Sequence, residues 1–283
     1  VSHSLVSLWT EVRKRLEAAG VDSPVLDARL LLEAGAGVAR LDIVTDPRRE
    51  LSDEQVQRVL ALSARREARE PISYILGRKA FWTLELAVNR HVLTPRPETE
   101  LLVEAALAEL DRDTPARVLD MGVGSGAILL AILAERPQAR GVGLDVSADA
   151  LAVARANAAN VGVLDRARLV QGDWFTELGE TFDILVSNPP YIPRDDIEAL
   201  SPEISRYEPR LALDGGVDGL DAYRALFAAA PRLVAPGGLF AFEVGKGQAM
   251  SVSTFANEAG FEGVHVRHDL AGVARLVGGR MPS

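Results

Sequence analysis

The chain has 283 residues, 48% of them hydrophobic, which supplies a core for one large domain or a medium and a small one and excludes a disordered chain. It has no cysteine, so disulfides, thiolate nucleophiles, cysteine zinc sites and iron–sulfur clusters are excluded together. Charge is uneven: residues 1–90 hold 14 basic and 13 acidic side chains and residues 91–283 hold 17 and 27, which makes the second part a poor candidate for binding duplex nucleic acid.

The first twenty residues mix Glu11, Arg13, Lys14, Arg15 and Glu17 among apolar ones, so neither a signal peptide nor a membrane span is expected there and a soluble cytoplasmic protein is. Leu5, Leu8, Val12 and Leu16 recur at helical spacing, and Ser23-Pro24 reads as the cap and first position of a second helix. Ser52 and Gln55 form a capping-box pattern for a third, continued by Val56, Val59 and Leu60 until Pro71. The Arg65–Arg69 run reads first as a solvated helix face and second as a contact to an acidic partner. Alternation of Trp82, Leu84, Leu86 and Val88 predicts a hairpin with its turn near Asn89-Arg90 or a strand pair bridging two domains, and Thr94–Glu100 starts a helix running to about Leu110. The expected organisation is a helical domain over 1–79, a hairpin linker over 80–93 and a larger domain over 94–283.

Beyond Thr114 strands and helices alternate. Strands are predicted at 117–121, 141–145, 167–171, 182–187, 238–244, 264–267 and 273–278, with helices at 128–136, 148–161, 221–233 and 251–259. This is the pattern of an α/β fold with a parallel, doubly wound sheet, whose ligands bind beyond the carboxyl ends of the strands. The histidines suggest no metal site, because His265 and His268 sit at odd spacing on a predicted strand and face opposite ways.

Asp120-Met121-Gly122-Val123-Gly124-Ser125-Gly126 lies between a predicted strand and a helix, where a nucleotide-binding loop belongs. Gly122, Gly124 and Ala127 also satisfy the dinucleotide pattern, so an NAD enzyme is a rival reading. No Lys-Ser/Thr pair follows, which excludes a P-loop. Asp145, 19 residues after Gly126, is placed to accept from a ribose diol. Asp120 at the mouth of the loop would repel a pyrophosphate and suits the ammonium of S-adenosylmethionine. Asp173 is placed to accept from an adenine amino group that Trp174 or Phe175 covers.

Asn188-Pro189-Pro190-Tyr191 follows the fourth strand of this domain. Methylating a planar –NH2 group requires its conjugated lone pair to be turned toward the methyl donor. The Asn188 side-chain oxygen and the Pro189 carbonyl can each accept one N–H of that group, stabilising the charge that develops on nitrogen. Proline brings no competing N–H, and Tyr191 can pack on the flat face of the substrate.

Asp120–Gly126, Asp145, Gly172–Phe175 and Asn188–Tyr191 resemble the Class I S-adenosylmethionine-dependent methyltransferases. The wider set is similar to the HemK/PrmC family of protein-(glutamine-N5) methyltransferases: it adds Glu70–Gly77, Phe81-Trp82, Thr94–Glu100, Tyr207–Gly216 and Glu243-Val244-Gly245. Met121 and Val123 depart from the Leu and Thr usual in the loop, and Ala274 stands before Arg275 where an acid is more usual.

The resemblance implies a seven-stranded Rossmann-like domain preceded by a small helical domain and a β-hairpin linker, with S-adenosylmethionine as cofactor and S-adenosylhomocysteine as product. It places the cofactor on Gly122, Val123, Gly124, Ser125, Gly126, Asp145, Trp174 and Asn188, to which the residues themselves add Asp120 and Asp173. The substrate falls on Asn188, Pro189, Pro190 and Tyr191, with Asn188, Pro189 and Tyr191 catalytic. The implied activity is methylation of the glutamine in the Gly-Gly-Gln motif of peptide chain release factors, by a monomer that engages neither nucleic acid nor membrane. A ribosomal-protein glutamine would use the same site. Adenine-N6 methylation of DNA or RNA would apply the same tetrapeptide to an exocyclic amine, against the acidity of this part of the chain.

Overall fold

The computed structural model describes residues 3–283. In chain order the elements begin with β1 (His3–Ser4), α1 (Leu5–Ala18), α2 (Pro24–Ala36), α3 (Asp42–Thr45), β2 (Glu50–Leu51), α4 (Asp53–Glu67) and α5 (Ile72–Leu76). They continue with β3 (Arg78–Phe81), β4 (Leu84–Ala87), α6 (Glu100–Glu109), β5 (Ala116–Met121), α7 (Ala127–Glu135), β6 (Ala139–Asp145), α8 (Ala148–Val161), β7 (Ala167–Gln171) and β8 (Phe182–Ser187). The last are α9 (Pro202–Ser205), α10 (Asp221–Leu233), β9 (Val234–Glu243), α11 (Ala249–Glu258), β10 (Glu262–His268) and β11 (Ala274–Arg280). Two compact units result: one takes the chain through Gly77 together with Ser201–Tyr207, the other Arg78–Leu200 and Glu208–Ser283. Among the described residues no helix is long and apolar enough to cross a membrane.

In the first unit α1 buries Leu5, Leu8, Val12 and Leu16, the stripe its spacing predicts. The Ser52–Gln55 capping box is complete, each side chain bonded to the other's backbone N–H. Pro24 does open α2, but Ser23 makes no side-chain cap bond: its backbone (φ −124°, ψ 57°) lies outside the extended region that aims a cap at the helix. Gly35 lets α2 and α4 touch, since a Cβ there would stand 2.9 Å from the Val59 backbone. The Arg65–Arg69 run is not a solvated face throughout. Arg66 is buried and donates to Asp27 (2.8 Å) and Glu203 (2.8 Å), and Arg69 holds Glu203 through two further bonds. These acids lie on α2 and α9, too distant in the chain for a local pattern to reveal the pairing.

The second unit is built on a seven-stranded sheet in the order β10-β11-β9-β8-β5-β6-β7. It departs from the all-parallel expectation at one strand, because β11 runs antiparallel to both β9 and β10. The cause is the short link after β10, where Asp269 and Gly272 close a tight turn that cannot carry a crossover. Alternate residues of the central strands feed two cores. Val118, Ile184 and Val186 meet α6 and α7, while Leu119, Leu185, Phe240 and Phe242 meet α10 and α11 around a cluster of phenylalanine rings.

The hairpin is β3–β4, and its turn is Trp82-Thr83, not Asn89-Arg90. Trp82 adopts φ +55°, a conformation a tryptophan rarely takes, held by its N–H to the Glu100 carboxylate (2.8 Å) and its indole N–H to Glu135 (3.0 Å). Asn89 does make a turn, accepting from His91 and Val92, but after the hairpin has ended.

Parallel register brings the strand ends to one edge. Asp120 lies opposite both Gly143 and Val186, Asp145 opposite Gln171, and Ser187 opposite Phe242. The loops leaving β5, β6, β7, β8 and β9 therefore emerge side by side.

Candidate active site

A cavity of about 460 Å³ opens over those carboxyl ends, within the range of small-molecule sites. Gly122, Val123, Gly124 and Ser125 form one wall, with Asp145 beside them. Asp173, Trp174, Asn188 and Pro190 form another. Gly126 lies at the start of α7, Asp120 is buried at the end of β5, and Pro189 and Tyr191 do not line the cavity.

The glycine loop is fixed entirely through backbone and buried polar groups. Gly122 and Val123 both donate to the Leu144 carbonyl, at 2.8 and 2.9 Å. Gly122, at φ +81°, leaves the loop open toward Trp174, whose ring a Cβ there would approach to 3.5 Å. Asn157, 1% exposed, donates to the Ser125 carbonyl (2.9 Å) and exchanges two bonds with Ala87 of β4, tying the loop to the hairpin.

Asp145 accepts from Gly124 N through Oδ2 and from Ser147 N through Oδ1, both at 2.9 Å, which leaves each oxygen a lone pair for a ligand. Asp173 Oδ1 accepts from Phe175 N (3.0 Å) and the Thr176 hydroxyl (3.2 Å), capping its own turn. Phe175 is 53% exposed and outside the wall, so of the two aromatics only Trp174 can cover a base. Two other acids of the wall have arginine partners: Asp214 pairs with Arg194 (3.0 Å), and Asp221 shares Arg224 (2.9 Å) with Asp218 (2.6 Å). Asp145 and Asp173 carry no salt bridge among the described residues, and the wall's one arginine, Arg96, is held by Glu208 at 2.6 Å. The free charge of the cavity is negative, which suits a cationic ligand.

Asp120 is almost wholly buried. Its Oδ2 accepts from Leu129 N (3.2 Å), and its Oδ1 is the one buried side-chain polar atom among the described residues without a hydrogen-bond partner. Burial, with the Asp145 charge adding to it against the Leu129 bond, pushes its carboxyl up to about 7. An orphaned acid under a glycine loop fits a ligand that brings positive charge to that loop. The donor set therefore fits S-adenosylmethionine: acids for its cations and its ribose, an indole for its base, and no lysine for a pyrophosphate.

On the other side Asn188 reaches the cavity and donates through Nδ2 to Thr99 Oγ1 (3.2 Å). Thr99 donates in turn to Glu243 Oε2 (2.5 Å), and the Tyr191 hydroxyl approaches Glu243 Oε1 at 3.3 Å. Tyr191 was expected on the face of the substrate. Instead its ring packs against Gly245, its carbonyl accepts from Gln248 Nε2 (2.9 Å), and it braces the tetrapeptide from behind. Glu243 has no exposed surface; burial pushes its carboxyl up to about 7, helped by Glu98 and opposed by Thr99, Tyr191 and Arg275. Burial also raises Tyr191, with Glu243 adding to it, so its hydroxyl stays protonated.

Thr99, Glu243 and Asn157 are the residues the sequence reading gave no role. Glu243 had a signal: it is a lone acid ending the apolar run Leu239–Phe242, one step beyond the Ser187–Phe242 pair and hence beside Asn188. Thr99 and Asn157 act across 144 and 70 residues of chain, which no local pattern shows.

A doubly wound sheet with one reversed strand, a glycine loop after its first strand and Asn-Pro-Pro-Tyr after its fourth defines a Class I S-adenosylmethionine-dependent methyltransferase. Residues 7–77 match the PrmC N-terminal domain and residues 97–202 the methyltransferase small domain. The chain is 53% identical over 275 residues to the release factor glutamine methyltransferase of Caulobacter vibrioides, covering 97% of this chain and 95% of that one. It is 46% identical to the protein of the same name from Rhodospirillum rubrum, over 93% of this chain and 81% of that one. The chain belongs to the release factor glutamine methyltransferase family. Solved structures agree on the fold: the hMettl16 catalytic domain superposes with a TM-score of 0.59 at 15% identity, over 85% of this chain and 87% of that one. A Pyrococcus furiosus methyltransferase gives 0.53 at 16%, over 72% and 92%.

Proposed function

We propose that this chain methylates the side-chain amide nitrogen of the glutamine in the Gly-Gly-Gln motif of peptide chain release factors, acting as a cytoplasmic monomer. The observation that carries the reading is the setting of Asn188. Its amide stands on the cavity wall with the –NH2 end committed to Thr99, so its oxygen is the end left for a substrate N–H.

S-adenosylmethionine, when bound, supplies a methyl group on a sulfonium leaving group. Asp145 receives its ribose, Trp174 covers its base with Asp173 beside it, and Asp120 answers its positive charge beneath Gly122–Gly126. Asn188 Oδ1 and the Pro189 carbonyl each accept one N–H of the substrate amide, turning its lone pair out of conjugation and toward the methyl. Both oxygens stabilise the charge that grows on nitrogen as the new bond forms. The methylated nitrogen is then acidic enough to lose its proton to water, so no strong base is needed. Pro190 shapes the wall, and Tyr191 stiffens the tetrapeptide. Residues 1–79, which hold none of these groups, serve to dock the protein substrate.

The test is incubation with labelled S-adenosylmethionine and either a release factor or adenine-containing DNA. Label is expected in the release factor, at the glutamine. Label entering DNA alone overturns the reading in favour of an adenine methyltransferase.

A further inference from the structure

Threonine has one hydroxyl proton, and Thr99 gives it to Glu243 Oε2 at 2.5 Å. Thr99 Oγ1 can then only accept from Asn188, so the asparagine must present its –NH2 to Thr99 and its oxygen to the opposite side. Thr99, 4% exposed, borders the cavity, while Glu243 has no exposed surface, so the carboxylate at the far end of the relay is out of reach of water. Tyr191 meets the other carboxylate oxygen, and Tyr223 fixes the Glu243 backbone by donating to its carbonyl at 2.7 Å. We propose that Glu243, acting through Thr99, is a positioning residue that sets which end of the Asn188 amide faces the substrate. The inference rests on the proposed transfer to a substrate –NH2, for which only the oxygen end of Asn188 is useful.

The relay has a polarity that chemistry can reverse. If the group facing Thr99 becomes a donor, the threonine must pass its proton to Asn188 instead. The asparagine then turns over and offers –NH2 to an incoming –NH2, a pairing without a hydrogen bond. Glutamine in place of Glu243 allows this reversal, and so does protonation of Glu243 itself. The charged and titratable groups around that carboxyl are Tyr191, Tyr223, Arg275 and Glu98, of which Arg275 favours the ionised form and Glu98 opposes it. A buried carboxylate serving only the fold would be hard to explain, since glutamine would fill the space without a charge to bury.

The experiment measures kcat and KM for release factor, with S-adenosylhomocysteine binding by calorimetry as the control for folding. Glu243→Gln and Thr99→Val are expected to lower kcat by about 10–100-fold, the loss typical of partners that orient a functional ligand. Release-factor KM and S-adenosylhomocysteine affinity should move by far less. Thr99→Ser, which keeps the relay, is expected to hold kcat within about threefold of wild type. In an Asp120→Asn background, which removes the other carboxyl raised to about 7, kcat should fall as the pH drops through neutrality, and adding Glu243→Gln should abolish that limb. Wild-type kcat in Thr99→Val, or an acid limb unchanged on adding Glu243→Gln, overturns the proposal while leaving the assigned reaction intact. A wild-type enzyme that leaves release factor unmethylated overturns the assigned reaction and this proposal together.

Discussion

Asp145 and Asp120 hold the glycine loop and the helix it enters: Gly124 N in the loop donates to Asp145 Oδ2 at 2.9 Å, and Leu129 N in the first turn of α7 donates to Asp120 Oδ2 at 3.2 Å. Asp145 is half-buried and keeps lone pairs for a ligand, whereas Asp120 is enclosed with one oxygen unmatched. Similar chemistry thus serves two ends: one acid is available for recognition and the other is held in reserve for charge.

That reserve has a pH signature. Asp120 ionises near 7 in the folded chain against 3.8 for an ordinary aspartate, so between about pH 4 and 7 the unfolded chain loses its proton and the folded one keeps it. Stability from this group is therefore full below pH 4, declines up to 7 and stays reduced above. Asp120→Asn should melt above wild type by a margin that grows from pH 4 to 7 and then levels off, while binding S-adenosylhomocysteine more weakly. Glu243 titrates alike in both proteins and cancels from the comparison. A pH-independent difference in Tm would contradict the assigned state of Asp120.

Asn188→Ala removes the acceptor while leaving the glycine loop and both flanking acids in place. Transfer to release factor should fall by at least about 100-fold, as for the loss of a group that acts in the transition state. S-adenosylhomocysteine should still bind, at reduced affinity, in a calorimetric titration. Near-normal turnover would remove the amide clamp from the mechanism.

Two glycines of the loop should respond differently to alanine. Gly126 sits at φ +86° with a Cβ position 2.8 Å from Leu130 Cδ1, whereas Gly124 at φ +52° has nothing nearer than the Gly122 carbonyl at 3.9 Å. Both substitutions carry a left-handed penalty of about 1–2 kcal/mol, and only Gly126→Ala adds a collision in the core. Urea denaturation should rank Gly126→Ala clearly below Gly124→Ala in stability.

Arg66 and Asp27 make a buried pair in the helical unit, with side chains 7% and 5% exposed. Arg66→Met strands the carboxylate and should cost about 3–5 kcal/mol, most of it recovered by adding Asp27→Leu. Chemical denaturation of the two variants checks this, and additive losses would refute it. Burial alone would raise Glu203, but hydrogen bonds from Arg69 and Arg66 bring it down to about 2. Its contribution is present above about pH 4.5 and is lost as the pH falls toward 2.

Much of this architecture is legible in the sequence because it is local. The limits of α8 follow from Ser147 and Gly162, and the Ser52–Gln55 box from two side chains three residues apart. The glycine loop and Asn188–Tyr191 are contiguous strings placed at strand ends by alternation alone. What escaped is what the tertiary fold decides. Trp82 turns the hairpin because Glu100 and Glu135 hold it, against its own backbone preference. The reversal of β11 depends on a short link that alternation does not register, and Tyr191 serves a buried acid where its sequence neighbours suggest a substrate contact. The Thr99–Glu243 bond joins two segments 144 residues apart, whose pairing no local pattern shows.

The helical unit draws Ser201–Tyr207 from well beyond the first 77 residues, and Glu203 on that segment completes the bonds of Arg66 and Arg69. During synthesis this unit therefore cannot finish when its own amino-terminal portion emerges. It must wait until the glycine loop and the Asn-Pro-Pro-Tyr turn have already left the ribosome. A fragment ending at Gly77 keeps the Arg66–Asp27 pair but lacks Glu203, the second acid of Arg66 and the one that Arg69 holds.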